Sequence, residues 1–489
     1  MILLYLESFG NPRKFARLAR RVAREKPIVA MKGGRTGSGA RAAGSHTAAL
    51  AGSETAVEAL FHQAGVVRAE TLEELVDVTA LLSSQPLPRG RRVALLTNAG
   101  GLGILCADAC EAAGLELPPL AEQTRAALAE LLPAEASLAN PVDMLGSATE
   151  ETYEAVLPHL LADPGVDAVV VLFVPPVVAE AGEVAEAVVR AVGSDEPSKA
   201  VLGVFVTGEG TPEALLRSPR RVAAFPYPES AARALGRAAE RADWLRRPAG
   251  SVPELEGIDR SRAEEIVSAA LAERGECWLE PAEARELLAC YGVPLVREQL
   301  CQNADAAAAA AGELGYPVVV KSAAAGSHKT ERSAVALDLA SEAAVLDAAR
   351  RIGEPVLVQP LVTGGAELLA GVVQDPVFGP LVAFGPGGVF AELIGEAQFR
   401  IAPLTDVDAE ELVLDGKAGQ LVRGFRGRPA ADTASLTDLV HRLARLAEER
   451  PEVAELDLNP VIAQPDGCVA VDSRVRVRPV EEVARTKTW

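Results

Sequence analysis

Cysteine is scarce in this chain of 489 residues, and none of it is spaced for a job. Cys106, Cys110, Cys277, Cys290, Cys301 and Cys468 form no CxxC pair and no metal-ligand spacing, which predicts a reduced, cytoplasmic protein rather than a disulfide-stapled one. The opening segment is not expected to be a signal peptide either. The opening MILLYLESFG is apolar, but it has no basic leader and carries Glu7 inside the apolar stretch. No segment approaches ~18 uninterrupted apolar residues, so no membrane span is expected. Low-complexity sequence is confined to the alanine run Ala306–Ala311, which lies between a cap-like Asn303 and Gly312 and reads as helix. No short tandem repeat is present. Positive charge is in deficit: a net charge of −20 argues against nucleic acid as a partner. Small anions remain possible ligands, because a few amides and cations suffice to hold a phosphate.

What is present is a globular balance, 49% apolar and 24% charged, in a chain long enough for two to four domains. Strand-like and helical runs alternate almost throughout, the pattern of α/β units with parallel sheets. A first block spans residues 1–86. It holds a strand at Ile2–Leu6, a helix started by Asn11-Pro12, a strand at Pro27–Met31, and a helix over Leu72–Leu82 with a Thr71/Glu74 capping box. The proline- and glycine-bearing SQPLPRGR (Ser84–Arg91) leads into a second block, 87–250, with strands at Val93–Leu96, Asp167–Val174 and Ala200–Thr207. After the break Arg246–Pro253, a third block covers 258–489. Its strands are expected at Val318–Lys321, Val356–Pro360, Glu367–Val373 and Leu381–Phe384, with a closing hairpin of Glu455–Ala463 and Cys468–Arg474 around Pro465-Asp466-Gly467.

Five histidines are few enough to weigh singly. His62, His159 and His441 lie in helical patterns and read as surface or core-edge residues. The other two share a small-residue setting, Gly44-Ser45-His46-Thr47 and Gly326-Ser327-His328-Lys329. A loop histidine among small residues is accessible, and the surrounding amides can hold phosphate. The loop TNAGGLG after Val93–Leu96 does not meet GxGxxG, and is expected to serve packing and to place a helix N-terminus near phosphate. FGPGG at Phe384–Gly388 reads equally as a plain turn.

The run MKGGRTGSGARAAGSHTAALAGS resembles the phosphohistidine segment of the ADP-forming (NDP-forming) acyl-CoA synthetases, relatives of succinyl-CoA synthetase. LLYLES, KPIVAMKGGR, AGVVRAETLEEL, TNAGGLGILCADACEAAGLEL and NPVDMLG are similar to other parts of that family. GYPVVVKS, GSHKTE, VLVQPLVTGGAELLAGVVQDPVFGPLVAFGPGG, AELIGEAQFRIAPL and ELDLNPV resemble its ATP-grasp portion, so the likeness covers essentially the whole chain. The resemblance implies an α/β fold: two succinyl-CoA-synthetase-like, flavodoxin-like domains followed by an ATP-grasp domain. It also implies roles. His46 matches the histidine that is phosphorylated, and Glu7 the carboxylate that orients it; a carboxylate on one ring nitrogen leaves the other nucleophilic. His328 matches a second histidine that carries phosphate toward the nucleotide, although this chain reads HKTERSAV where the family has HKSDVGGV, two glycines fewer and so less backbone freedom. Lys321 matches the lysine on the nucleotide phosphates, Gln359 and Val362 the hinge that receives adenine through its backbone, and Glu367 the ribose-binding carboxylate. Asn459 and Asp472 match the metal ligands, hard oxygens suited to Mg²⁺.

The implied reaction is acyl-CoA + ADP + phosphate ⇌ carboxylic acid + ATP + CoA, of the acetate–CoA ligase type, with ATP/ADP, Mg²⁺ and CoA as cofactors and substrates. Relatives begin with a Rossmann-type CoA-binding domain ahead of the strand that starts here near Met1. The given sequence holds no such domain, so either the chain is a piece of a longer protein or a separate CoA-binding domain or subunit supplies it; a homo- or hetero-oligomer, and only half the reaction from the chain alone, are the further expectations. Two alternatives are a non-catalytic regulatory subunit of a CoA-dependent assembly and a protein acyltransferase relative.

Overall fold

Three apolar runs of the chain's second block, VALLT, AVVVLF and AVLGVF, become strands that are buried along their whole length. In the computed structural model, which describes residues 1–33, 54–176, 179–193, 198–323, 335–388 and 397–480, Ala168–Phe173 and Ala200–Phe205 are buried at every position. Such runs need cover on both faces, and parallel sheets provide it. The chain divides into two compact units, one of Met1–Phe9, Lys14–Ala51 and Phe61–Pro248, the other of Gly10–Arg13, Gly52–Leu60 and Ala249–Trp489.

The first unit holds two parallel sheets. β1 (Ile2–Leu6), β2 (Ile28–Lys32) and β3 (Val67–Ala69) lie in that order. β4 (Val93–Thr97), β5 (Val142–Asp143), β6 (Ala168–Phe173), β7 (Ala200–Phe205) and β8 (Ala223–Phe225) are ordered β5-β4-β6-β7-β8. That is the flavodoxin-like 2-1-3-4-5 order, in which the chain reverses its direction of travel at β4. Side-chain alternation sorts the second sheet's residues between two cores. Leu95, Val170, Leu172, Leu202 and Val204 pack with Leu235 and Ala238 of the Pro228–Arg246 helix; Val78 and Leu81 of the Leu72–Ser84 helix and Val29 and Val67 of the first sheet join the same core. Leu96, Val169, Val171 and Phe173 face the other way, onto Tyr153 and Leu157 of the Glu150–Ala162 helix and Val184 and Val188 of the Ala181–Val192 helix. Each fully buried Val or Leu contributes about 1.5–3 kcal/mol.

The expected cap at Thr71 is present, with one difference. Thr71 Oγ1 accepts from the Glu74 amide at 3.1 Å, but the Glu74 carboxylate accepts from the Glu70 amide at 2.8 Å rather than from the cap residue. Glu74 is thus free to bind Arg237 at 3.0 Å on the helix packed beside it.

The second unit is built on antiparallel sheets. β10 (Gln299–Cys301), β11 (Val318–Ser322), β12 (Val335–Leu339) and β13 (Val356–Pro360) form one, ordered β10-β13-β11-β12. Its Val318, Val320, Val356 and Val358 pack under the Ala304–Leu314 and Glu342–Ile352 helices. The alanine run is helical as expected and is capped by Asn303, whose side chain accepts from the Ala306 amide at 2.8 Å; the helix passes through Gly312 and stops at Gly315, φ +86°. The larger sheet comprises β9 (Cys277–Trp278), β14 (Ala366–Asp375), β15 (Gly379–Pro386), β16 (Gln398–Ile401), β17 (Val453–Gln464), β18 (Gly467–Ala470) and β19 (Arg474–Val477). Leu368, Ala370, Leu456, Leu458 and Val461 face its core, which the Thr433–Glu449 helix covers. The closing hairpin departs from expectation: its return strand breaks in two. β18 pairs the far half of β17, β19 pairs the near half, and residues 471–473 leave the ladder between them.

Candidate functional site

The carboxyl ends of parallel strands are where α/β sheets present ligand sites, since helices and loops gather there. In the first sheet β1 and β2 run in register, Leu6 beside Lys32, so Glu7 and Gly33 emerge together at that end. Glu7 is exposed. Lys32 is 4% exposed, and its ammonium donates to the Glu7 carbonyl at 2.8 Å and the Gly33 carbonyl at 2.5 Å. Burial lowers the Lys32 pKa below the ordinary lysine value, with the Glu7 carboxylate opposing that shift. The Gly33 amide closes the loop onto Leu6 O at 2.8 Å. His46 lies outside the described residues, as does His328.

The end of β4 is the second sheet's switch point. The Asn98 side chain ties it to the end of β6, donating to Val174 O at 2.8 Å and accepting from its amide at 3.0 Å. The Gly100–Ala112 helix starts here with no side-chain cap and no acidic residue in its first turn. A Cβ on Gly100 would come within 2.8 Å of the Asp143 carboxylate, and nothing stands within 4 Å of the same position at Gly101. TNAGGLG therefore forms a close-packed turn into a helix whose amides keep an open approach.

In the second unit, strand alternation decides which residues face the cleft. Val318, Val320, Val356 and Val358 take the core face of their sheet, so Lys321, Leu357 and Gln359 lie on the opposite face. Lys321 is 5% exposed. Its ammonium donates to Val471 O at 3.0 Å and pairs with Glu298 at 3.3 Å and Asp472 at 3.6 Å. Asp472 sits in the break between β18 and β19, next to Val471, whose amide reaches Pro460 O at 3.1 Å. That places Asp472 beside the Asn459-Pro460 stretch of β17. Asn459 Oδ1 accepts from the Gly388 amide at 2.9 Å, so FGPGG is not an isolated turn but a loop tied to Asn459.

Gln359 is 5% exposed, and its Oε1 is buried without a hydrogen-bond partner among the described residues. An unmet buried acceptor costs about 1–3 kcal/mol, a cost that a ligand donor removes. Val362 and Glu367 line a cavity of about 810 Å³ with Gly365, Ile462, Phe425 and Arg426. That volume suits a nucleotide-sized ligand. For a divalent cation the donors on offer are the Asp472 carboxylate and the Asn459 amide oxygen. Among the described residues no group of three or more His, Cys, Asp or Glu side chains is placed to hold a metal. Two hard oxygens fit Mg²⁺, which completes its shell from water and phosphate.

Comparison with known proteins agrees with this geometry. Residues 1–82 match the succinyl-CoA ligase like flavodoxin domain, 93–251 the Ligase-CoA domain and 269–477 the ATP-grasp domain. The chain is 37% identical to acetate–CoA ligase [ADP-forming] I of Archaeoglobus fulgidus over 97% of its own length and 70% of that protein. The chain belongs to the ADP-forming acyl-CoA ligase family. It is also 32% identical to the ADP-forming 4-hydroxybutyrate–CoA ligase of Nitrosopumilus maritimus, over 97% of this chain and 70% of that one. The beta subunit of acetate–CoA ligase [ADP-forming] I from Pyrococcus furiosus is 34% identical over 45% of this chain and 99% of the subunit. The family makes this chain an acid–thiol ligase.

Three groups of this ligase escaped the sequence reading. Lys32 ends an apolar strand just as Lys321 does, and that parallel was a usable signal. Asp457 takes a half-buried place in the alternation of β17, between Leu456 and Leu458; burial pushes its carboxyl up to about 6, with Arg474 pulling down and Asp472 pushing further up. Glu298 left no signal at all, because only the tertiary fold brings it to Lys321.

Proposed function

We propose that this ligase is an NDP-forming acyl-CoA synthetase of the acetate–CoA ligase type that passes its phosphoryl group through His46. A phosphate oxygen attacks the thioester carbonyl and the CoA thiolate leaves, giving an acyl phosphate. A His46 ring nitrogen then attacks phosphorus and the carboxylate leaves. Finally an oxygen of the ADP β-phosphate attacks the phosphohistidine and the imidazole leaves, giving ATP. Glu7 fixes the His46 tautomer from the carboxyl end of β1. His328 is the second carrier.

At the nucleotide end, Lys321 meets the phosphates, Gln359 and Val362 take the base, and Glu367 takes the ribose. Gln359 Oε1, an acceptor without a donor among the described residues, suits the adenine amine. Asn459 and Asp472 hold magnesium, which when bound offsets phosphate charge. In phosphoryl transfer the protein chiefly positions groups and neutralises charge. The observation that carries the reading is therefore the buried Lys321 ammonium beside Asp472 on the cleft face of its sheet. CoA and a small carboxylic acid are the remaining substrates, and a homo- or hetero-oligomer is the proposed assembly. The six cysteines are free thiols, which supports a cytoplasmic setting.

The test is incubation with γ-labelled ATP and Mg²⁺. The chain acquires acid-labile label, and His46→Ala abolishes it while nucleotide binding persists. Undiminished label at another residue would remove His46 from its role.

A further inference from the structure

Asp472 has two claimants. It is a ligand for magnesium, and it lies 3.6 Å from the Lys321 ammonium. A carboxylate shared with a buried cation is a poorer metal ligand, so something must hold Lys321 away from it.

Glu298 is placed to do so. The segment leading to it is fixed to β18: the Ala470 amide donates to Pro294 O at 2.9 Å and the Val296 amide to Ala470 O at 3.0 Å. The chain then crosses to the other sheet, where β10 pairs β13 with Leu300 opposite Leu357 and Gln299 opposite Val358. One step further back in that alternation, Glu298 takes the cleft face with Leu357, Gln359 and Lys321. Its side chain is 12% exposed, 3.3 Å from Lys321 and 3.7 Å from Arg285 of the Pro281–Cys290 helix. Glu298 therefore sits where the two sheets of the unit are joined, in a segment anchored by backbone bonds to Ala470, the residue before the Val471 to which Lys321 also donates.

We propose that Glu298 is a positioning residue of the nucleotide site: its carboxylate holds the Lys321 ammonium and thereby leaves the Asp472 carboxylate to magnesium. The proposal rests on the reading of Asp472 as a metal ligand. When Asp472 engages the cation, Lys321 keeps Glu298 as its counter-charge and stays aligned along the cleft face. Without Glu298, the nearest carboxylate for Lys321 among the described residues is Asp472 itself.

The experiment is calorimetric titration of ADP into the full chain at a series of Mg²⁺ concentrations and in chelator. Glu298→Gln should raise the Mg²⁺ needed for half-maximal ADP binding about tenfold, the scale of an outer partner of a metal ligand. The loss of ADP binding in chelator should be smaller than the loss in the presence of Mg²⁺. Coincident Mg²⁺ curves, or an equal loss with and without Mg²⁺, overturn the proposal. Arg285→Gln, at a partly exposed position, removes the rival cation on Glu298 and should lower the Mg²⁺ requirement about twofold. No change or a rise there overturns the proposal even if Glu298→Gln fails to fold. Asp472→Asn separates the two layers. If it leaves the Mg²⁺ dependence untouched, the metal reading itself fails; if it raises the requirement while Glu298→Gln does not, Glu298 alone is misassigned.

Discussion

Each unit of this ligase ends a buried apolar strand with a lysine, and the two lysines are held in opposite ways. Lys32 follows IVAM and Lys321 follows VVV, and they are 4% and 5% exposed. Among the described residues, Lys32 donates to two backbone carbonyls, those of Glu7 and Gly33. Lys321 donates to one carbonyl and faces two carboxylates, Glu298 and Asp472. Carbonyls orient an ammonium without matching its charge, so burial wins at Lys32 and lowers its pKa. The difference separates two jobs. Lys32 clamps the ends of β1 and β2 together, whereas Lys321 is paired with two carboxylates at the place where we propose that phosphate is met.

The largest effect that could break this contrast is on catalysis. Lys321→Met should lower ATP-dependent labelling of the chain by about 10²–10³-fold, with the circular dichroism spectrum unchanged. If labelling survives, Lys321 is a structural lysine like its counterpart. Lys32→Met should act on stability instead. It strands two carbonyls at a sheet end and should cost about 1–3 kcal/mol in urea unfolding. Its pH signature sharpens the point. The folded pKa of Lys32 lies below its unfolded value, so between the two the unfolded chain binds more protons and this residue's contribution to stability rises with pH. The gap between wild type and Lys32→Met should therefore widen as pH climbs toward the ordinary lysine pKa, and a gap that narrows contradicts the lowering of the Lys32 pKa by burial. The smallest expected effect belongs to Glu7→Gln. Lys32 takes the Glu7 backbone carbonyl rather than its carboxylate, so stability should change by no more than about 0.5 kcal/mol, read from the same unfolding curves.

Much of the fold was legible because the central strands of the first unit's larger sheet are fully buried: runs such as AVVVLF and AVLGVF fit little else than central parallel strands. The larger antiparallel sheet was legible in part. The hairpin after Glu455 was visible from Pro465-Asp466-Gly467, but the break at 471–473 was not. Nothing in AVDSR (Ala470–Arg474) marks where pairing stops. That break matters, because it is what frees Asp472 to turn toward Lys321. The Thr71 cap shows the same limit on a small scale: the motif predicted the helix start, while Arg237 from a distant helix accompanies the unexpected turn of the Glu74 carboxylate.

By itself the sequence determined the α/β and ATP-grasp architecture, the family, and the choice of Glu7, Lys321, Gln359, Val362, Glu367, Asn459 and Asp472 as candidates, because periodicity and motif residues are local properties of the chain. Only the tertiary structure decided which side chains meet. Glu298 and Lys321 are neighbours because β13 lies between β10 and β11 in the sheet and because residues 294–296 are bonded to Ala470. An ion pair across that distance in sequence depends on the order and register of strands, and these are set by how the whole unit buries its apolar faces.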